Sequence, residues 1–432
     1  MLYHWYELSH AAVKPARAAV DTYCFVLDHP FNPWSYTTAG RNVSAACKVF
    51  ERTTRRYPKP EFGITTTSID GQNIAVSENV VWQTPFCRLL HFARDIPSER
   101  AQQDPPIVIV APMSGHFATL LRGTVKTLLP NHEIYITDWV DARQMPVEHG
   151  TFDLDTYIDH IIDIMAFLKG DAHIFAVCQP CVPVLAATAR MEAEQSQYIP
   201  QSIILAGGPV DTRVNPTAVN GVAISRGTRW FEDNVLATVP WPHKGFGRKV
   251  YPGFMQLTGF MAMNLDRHLN AHQDLFVNLI RGDGDSARKH QSFYDEYLAV
   301  MDLTAEYYLQ TIESVFIRHE LARGEMKHRT QPIDLTDITR VPLMTIEGEK
   351  DDITGLGQCR QALEMTKNLN SEMKVHYEAS GVGHYGVFNG SRFHDDIAPR
   401  ISQFTMTHDR RSSQIATTPA MTIETKRGGA AA

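Results

Sequence analysis

Hydrophobic positions change their period several times along this chain, and each change predicts an element. Over residues 8–27 and 42–57 apolar side chains recur at the three-to-four spacing of an amphipathic helix. The turn-rich His29-Pro30-Phe31-Asn32-Pro33-Trp34 separates the two runs. The period then shortens to β-branched stretches at 63–67 and 74–82, either side of Asp70-Gly71, which predicts a hairpin. Residues 87–93 predict a further strand. Beyond them, continuous apolar runs at 107–111, 133–137, 173–177 and 202–206 alternate with helical periods at 117–128 and 154–168. An unbroken apolar run suits a strand buried on both faces, and the alternation predicts a parallel sheet flanked by helices.

From 212 to 332 the alternation stops. That stretch is rich in turns and aromatics, including Trp230, Phe231, Trp241, Phe246, Tyr251, Phe254 and Phe260, with helical periods at 292–300 and 305–318. Strand-like runs resume at 341–347 and 374–378. The organisation read from the pattern is a helical N-terminal extension (1–60), a core in two parts (61–211 and 333–408) and a cap inserted between them (212–332). A Ser/Thr/Ala/Gly-rich tail (409–432) is expected to be disordered.

Composition narrows the classes. Lys+Arg 41 against Asp+Glu 48 gives a net charge of −7, which argues against a nucleic-acid binder. No apolar run is long enough to span a bilayer, and the start lacks the basic and apolar regions of a signal peptide. Six cysteines scattered over 432 residues make no disulfide framework. The expectation is a soluble, cytoplasmic protein, with a homo-oligomeric state left open. Arg52, Arg55 and Arg56 read as a solvated helix face.

Candidate chemistry centres on His173-Ile174-Phe175-Ala176-Val177-Cys178-Gln179-Pro180-Cys181. A buried strand must turn into a helix within two or three residues, with Cys178 at the apex. This is the nucleophile elbow of an α/β-hydrolase, with Ala176, Cys178 and Pro180 standing in G-x-S-x-G. Amides and the dipole at the helix start favour a thiolate there. The N–H of Gln179 would face a tetrahedral oxyanion, and Met113 or Ser114, after the strand at 107–111, would supply the second amide. His116 in that loop reads as structural, shaping an acyl pocket. Cys178 and Cys181 also form a C-x-x-C, the spacing of a redox pair or half a zinc site. Zinc would need a second ligand pair, and no other C-x-x-C or H-x-x-H cluster is present, so no metal is assigned. Cys181, one turn into the helix, reads as packing.

Two later strands complete the pattern. The strand at 341–347 runs into Gly348-Glu349-Lys350-Asp351, placing Asp351 where an acid can orient an imidazole. Asp352 is the neighbour in the wrong register. The strand at 374–378 leads to Gly383-His384-Tyr385-Gly386, whose glycines let His384 swing towards the nucleophile. The order Cys178, Asp351, His384 is that of nucleophile, acid and histidine in α/β-hydrolases. The fold class read from the chain is therefore α/β, an α/β-hydrolase with a mostly parallel central sheet.

Together, residues 111–122 (Ala-Pro-Met-Ser-Gly-His-Phe-Ala-Thr-Leu-Leu-Arg), Asp138-Trp139, Val177-Cys178-Gln179-Pro180 and Gly383-His384-Tyr385-Gly386 resemble the intracellular poly(3-hydroxybutyrate) depolymerases, from the first residues to about 405. The resemblance implies hydrolysis of amorphous storage polyester at cytoplasmic granules, with Cys178 as nucleophile, Asp351 as acid, His384 as base and no cofactor. Its partners would be the granule surface and 3-hydroxybutyrate polymer and oligomers. Polyhydroxyalkanoate synthases share the triad but carry glycines where this chain has Gln179-Pro180. The alternatives are a synthase-like acyltransferase, a coenzyme A-dependent thiolytic depolymerase, a non-catalytic granule-binding protein and a C-x-x-C redox protein. Within the insertion, Trp230, Trp241, Phe246 and Tyr251 are the candidates for a substrate entrance.

Overall fold

The computed structural model describes residues 2–411 apart from 264 and 282. Nine strands make one sheet: β1 (Thr66–Ile69), β2 (Gln72–Gln83), β3 (Cys87–Arg94), β4 (Pro106–Val110), β5 (Glu133–Trp139), β6 (His173–Val177), β7 (Ile203–Ala206), β8 (Leu343–Gly348) and β9 (Lys374–Ala379). Their spatial order is β1-β2-β3-β5-β4-β6-β7-β8-β9. The first three pair antiparallel, β3 pairs antiparallel with β5, and from β5 to β9 every pairing is parallel. The antiparallel opening and the exchange of β4 and β5 are the strand order of an α/β-hydrolase. Asp70 and Gly71, both with positive φ, close the β1–β2 hairpin in the two-residue turn their sequence predicts. Strands β4, β6 and β7 are buried on both faces apart from the first residue of β4, as their unbroken apolar runs require.

Helices cover the sheet. α3 (Arg122–Leu128), α4 (Leu154–Phe167) and α5 (Cys181–Ala193) follow β4, β5 and β6 in the chain, and the last helix, Ala398–His408, packs against α3. The predicted helix at 117–128 begins instead with a 3-10 turn, Ala118–Leu121. Asp409 and Arg411 continue past the last helix into ordered contacts, with Arg411 bound to Asp409 and to the Asp104 carbonyl. The remainder of the expected disordered tail, 412–432, lies outside the described residues.

Between β7 and β8 stands the insertion. It holds α6 (Ala218–Asn234), α7 (Gly253–Met263), α8 (Leu265–Arg281), α9 (Gly284–Tyr297) and α10 (Ala305–Thr311), the last continued by a π-helical turn, Ile312–Ile317. Ala237–Thr238, Lys249–Tyr251 and Leu303–Thr304 add a small antiparallel sheet. The predicted helix at 292–300 in fact runs from 284 to 297, and Val300 bridges to His116 of the core.

The N-terminal helices, α1 (Leu2–Leu27) and α2 (Thr38–Thr54), form a hairpin that packs on this cap, α2 against α8. Arg52 bonds to Asp295 and the Gln291 carbonyl, Arg55 to Asp295, and Arg56 to Glu7. Arg52 and Arg55 thus clamp the hairpin to the cap, which overturns their reading as a solvated face, while Arg56 is exposed and ties the hairpin to itself. Periodicity along one helix cannot show that the partner charge is some 240 positions away.

A buried carboxylate joins these layers. Asp302 accepts from Tyr3 Oη at 2.7 Å and from the Gly253 N–H at 2.9 Å, while its own N–H donates to Asp141 Oδ1 at 3.0 Å. Burial, then the neighbouring Asp141, pushes its pKa up to about 7, with Arg143 opposing. An acid whose folded pKa lies above its unfolded value, near 4, stabilises the fold below that unfolded value. It loses the contribution as pH rises towards the folded one. Asp302→Asn should therefore flatten the decline of urea-unfolding stability between about pH 4 and 7. An unchanged pH slope would show that Asp302 is ionised throughout.

Candidate active site

The elbow is built by close packing. Cys178 follows β6 directly and sits at φ +67°, a left-handed conformation uncommon for a residue with a side chain. Its N–H donates to the Ala206 carbonyl of β7 at 2.7 Å, and its own carbonyl receives the Cys181 N–H at 3.1 Å. Pro180, at φ −54°, leads into α5, where a missing N–H costs nothing. A Cβ on Gly208 would stand 2.3 Å from Cys181 Sγ and 3.1 Å from the Cys178 carbonyl, so only glycine lets the chain after β7 pass so near the elbow.

Asp351 and His384 come to the same end of the sheet. After β8 the chain turns, and Asp351 Oδ1 receives the N–H groups of Ile353 at 2.9 Å and Thr354 at 2.8 Å. Its Oδ2 lies 2.7 Å from His384 Nδ1. The carboxylate is thus fixed at both oxygens, and the side chain is almost wholly buried. Asp352 is exposed. His384 starts a short helical turn after β9, packed edge-on against Phe388. Burial would lower its pKa, but the neighbouring Cys178 sulfur and the Asp351 carboxylate carry it well above the ordinary histidine value. The three side chains therefore meet in one chain of contacts.

The loop after β4 stands opposite. Trp139 Nε1 donates to the Ala111 carbonyl at 2.8 Å, and Met301 N–H of the cap donates to the Gly115 carbonyl at 2.7 Å. Among the described residues, no hydrogen bond takes up the N–H of Met113, Ser114 or Gln179. His116 is buried, its Nε2 3.1 Å from the Tyr297 carbonyl, and burial lowers its pKa to about 4, so it ties the loop to the cap as a neutral ring.

These groups open on a cavity of about 360 Å³ whose wall is mostly apolar. Cys178, Gln179, Met113, Ser114 and His384 line it from the core. From the cap come Phe231, Tyr308, Ile312, Phe316 and, of the four proposed entrance residues, Tyr251, stacked on Tyr308 at 3.9 Å. Trp230 lies outside the lining, edge-on to Phe231, and Trp241 and Phe246 are exposed elsewhere, 80% and 60% respectively. Phe254 stacks on Tyr6 of the N-terminal hairpin at 4.0 Å; the side chain of Phe260 lies outside the described residues. Counting aromatics found Phe231 and Tyr251 but missed Tyr308, Ile312 and Phe316 of the cap wall. The spacing of Tyr308, Ile312 and Phe316, four residues apart, was the signal that marks one helix face.

Cys181 is fully buried, its Sγ 3.5 Å from the Ala176 carbonyl, and burial followed by the adjacent Cys359 thiol raises its pKa well above the ordinary value. All six cysteines are free thiols. No group of three or more His, Cys, Asp or Glu suited to a metal occurs among the described residues.

Strand order and a left-handed elbow give this chain the α/β-hydrolase fold, with a buried Asp–His pair beside the elbow. Residues 207–409 match the family described as PHB de-polymerase C-terminus, a span that holds the cap, Asp351 and His384 and begins after Cys178. The poly(3-hydroxyalkanoate) polymerase subunit PhaC of Haloferax mediterranei is 23% identical over 342 residues, covering 75% of this chain. The match spans 63% of that relative's length. Among solved structures, a putative lipase from Acinetobacter baumannii AYE is 14% identical with a TM-score of 0.39, over 77% of this chain and 93% of that one. The α/β hydrolase GrgF from Penicillium sp. sh18 is 14% identical with a TM-score of 0.42, over 77% and 99%. The chain has the α/β-hydrolase fold and is similar in sequence to proteins of polyhydroxyalkanoate metabolism.

Thiol labelling tests the site's accessibility. Brief iodoacetamide treatment followed by peptide mass analysis should modify Cys178 well before the buried Cys87, Cys181 and Cys359. A Cys178–Cys181 disulfide forming readily under mild oxidation would instead support the redox reading.

Proposed function

We propose that this protein hydrolyses the ester bonds of a poly(3-hydroxyalkanoate), poly(3-hydroxybutyrate) in the first instance, through a covalent thioester on Cys178. The observation that carries the reading is the run of contacts from Asp351 through His384 to Cys178 at the wall of an apolar cavity. His384 Nε2 takes the Cys178 proton, and the sulfur attacks the ester carbonyl. The oxyanion faces the N–H of Gln179 and that of Met113 or Ser114. As the intermediate collapses, the imidazolium returns its proton to the departing alkoxide, leaving a 3-hydroxyacyl thioester. His384 then deprotonates water, whose oxygen attacks the thioester, and Cys178 leaves. Asp351 holds the imidazole so that one ring nitrogen always faces the sulfur.

A second reading is supported by the polymerase relative. The same thioester, taken by a hydroxyl of another hydroxyacyl group or by coenzyme A, gives acyl transfer instead of hydrolysis. The polymer as partner and a place at storage granules in the cytoplasm belong to the proposal. No described helix is long and apolar enough to cross a membrane. Incubating the protein with amorphous granules and separating products by chain length tests the reading. Free acids and oligomers support hydrolysis; products that appear only with coenzyme A, or chains that lengthen on hydroxyacyl thioesters, support transfer.

Substitutions separate the roles. Cys178→Ala should abolish ester cleavage and Cys181→Ala should retain most of it. Asp351→Asn should lower kcat by about 10³- to 10⁴-fold with unchanged thermal stability, while Asp352→Asn has a mild effect. Reversed effects at the two aspartates would move the acid to Asp352.

Granule contact is assigned to exposed aromatics. Trp241 and Phe246 flank His243, which bonds Glu7 of the N-terminal hairpin at 3.2 Å. Aromatic area offers contact with an apolar surface at low entropic cost. Trp241→Ser with Phe246→Ser should weaken granule sedimentation and degradation and spare a short soluble ester. Equal losses on both substrates would indicate a folding role.

A further inference from the structure

In the mostly apolar cavity wall, two side chains are primary amides, and each leaves an acceptor unused. Gln179 follows the elbow cysteine, and Gln256 stands in α7 of the cap; both line the cavity with Cys178 and His384. The Oε1 atom of each is buried without a hydrogen-bond partner among the described residues. Gln256 is also held close to the loop after β4. A Cβ on Gly115 would lie 2.5 Å from its Oε1, and Gly115 has φ +99°, where a side chain is strained in any case. Glycine at 115 thus leaves room for an amide of the cap directly over the loop that faces Cys178.

A buried acceptor without a donor is costly, and the partner that relieves it must carry an O–H or N–H. Along its length a polyester chain offers only acceptors. Its one donor is the free hydroxyl of the terminal hydroxyacyl unit. We propose that Gln256 is a specificity-determining residue whose Oε1 accepts the free hydroxyl of a hydroxyacyl group held at Cys178. The site would then favour hydroxyl-bearing acyl groups, and chain ends among them, over deoxy acyl groups of the same length. This rests on the hydroxyacyl-ester reading given above.

The test compares 4-nitrophenyl 3-hydroxybutyrate with 4-nitrophenyl butyrate. Unaltered protein should favour the hydroxy ester by about tenfold or more in kcat/KM, since a site built to bond a hydroxyl discriminates against its absence. Gln256→Leu should bring the two esters to within about twofold, chiefly by lowering kcat/KM on the hydroxy ester, and Gln256→Glu, which keeps an acceptor, should retain the preference. A ratio unaltered by Gln256→Leu, or equal loss on both esters, overturns the assignment. Titration calorimetry on the Cys178→Ala variant, with 3-hydroxybutyrate and butyrate as probes, measures the same preference without turnover; equal affinities overturn it. Granule assays keep the two readings apart. A preference for hydroxy esters without granule degradation removes the polymer substrate and leaves the subsite standing. Granule degradation with no hydroxyl preference does the reverse.

Discussion

The left-handed turn at Cys178 is the constraint on which the site depends. A residue with a side chain keeps φ +67° only where the surroundings hold it, at a cost of roughly 1–2 kcal/mol. Here β7 supplies the hold, through the Ala206 carbonyl and the bare backbone of Gly208. The same turn ends β6 at the sulfur and starts α5 beneath it, which leaves Gln179 at the cavity wall. Parallel neighbours then decide what the sulfur meets. β8 is next to β7 and β9 next to β8, and the loops after them deliver Asp351 and His384 to one edge.

The cap is tied to this edge at several points. Met301 bonds to Gly115, Val300 bridges to His116, and the next residue, Asp302, carries Tyr3 of the N-terminal hairpin. The loop that faces Cys178, the cap and the N-terminal helices are therefore linked directly by these contacts. A sheet-and-helix core alone would leave the sulfur open to water. With the cap in place, the elbow faces a cavity of about 360 Å³ lined mostly by apolar side chains, a setting in which electrostatic contacts are stronger than in water.

Much of the fold was legible because unbroken apolar runs, a two-residue Asp-Gly turn and glycines around His384 are local signals. Cys178, Asp351 and His384 were legible through their order and their places after strands. What lay beyond the sequence is non-local. Arg52 and Arg55 meet Asp295 only after the chain has folded back, and the N-terminal helices settle on the cap. The aromatics of the insertion divide by three-dimensional placement: Phe231 and Tyr251 line the cavity, Phe254 anchors the N-terminal hairpin, and Trp241 and Phe246 face outward. Composition treats them alike.

The account turns on a covalent acyl group at one sulfur. Rapid acid quenching of the protein during turnover on 3-hydroxybutyrate oligomers, followed by intact and peptide mass analysis, measures it directly. A mass increment of one or more 3-hydroxybutyryl units on the peptide holding Cys178, released by hydroxylamine, is the predicted result. Steady turnover with Cys178 unmodified throughout, or the acyl group found on another residue, would contradict it.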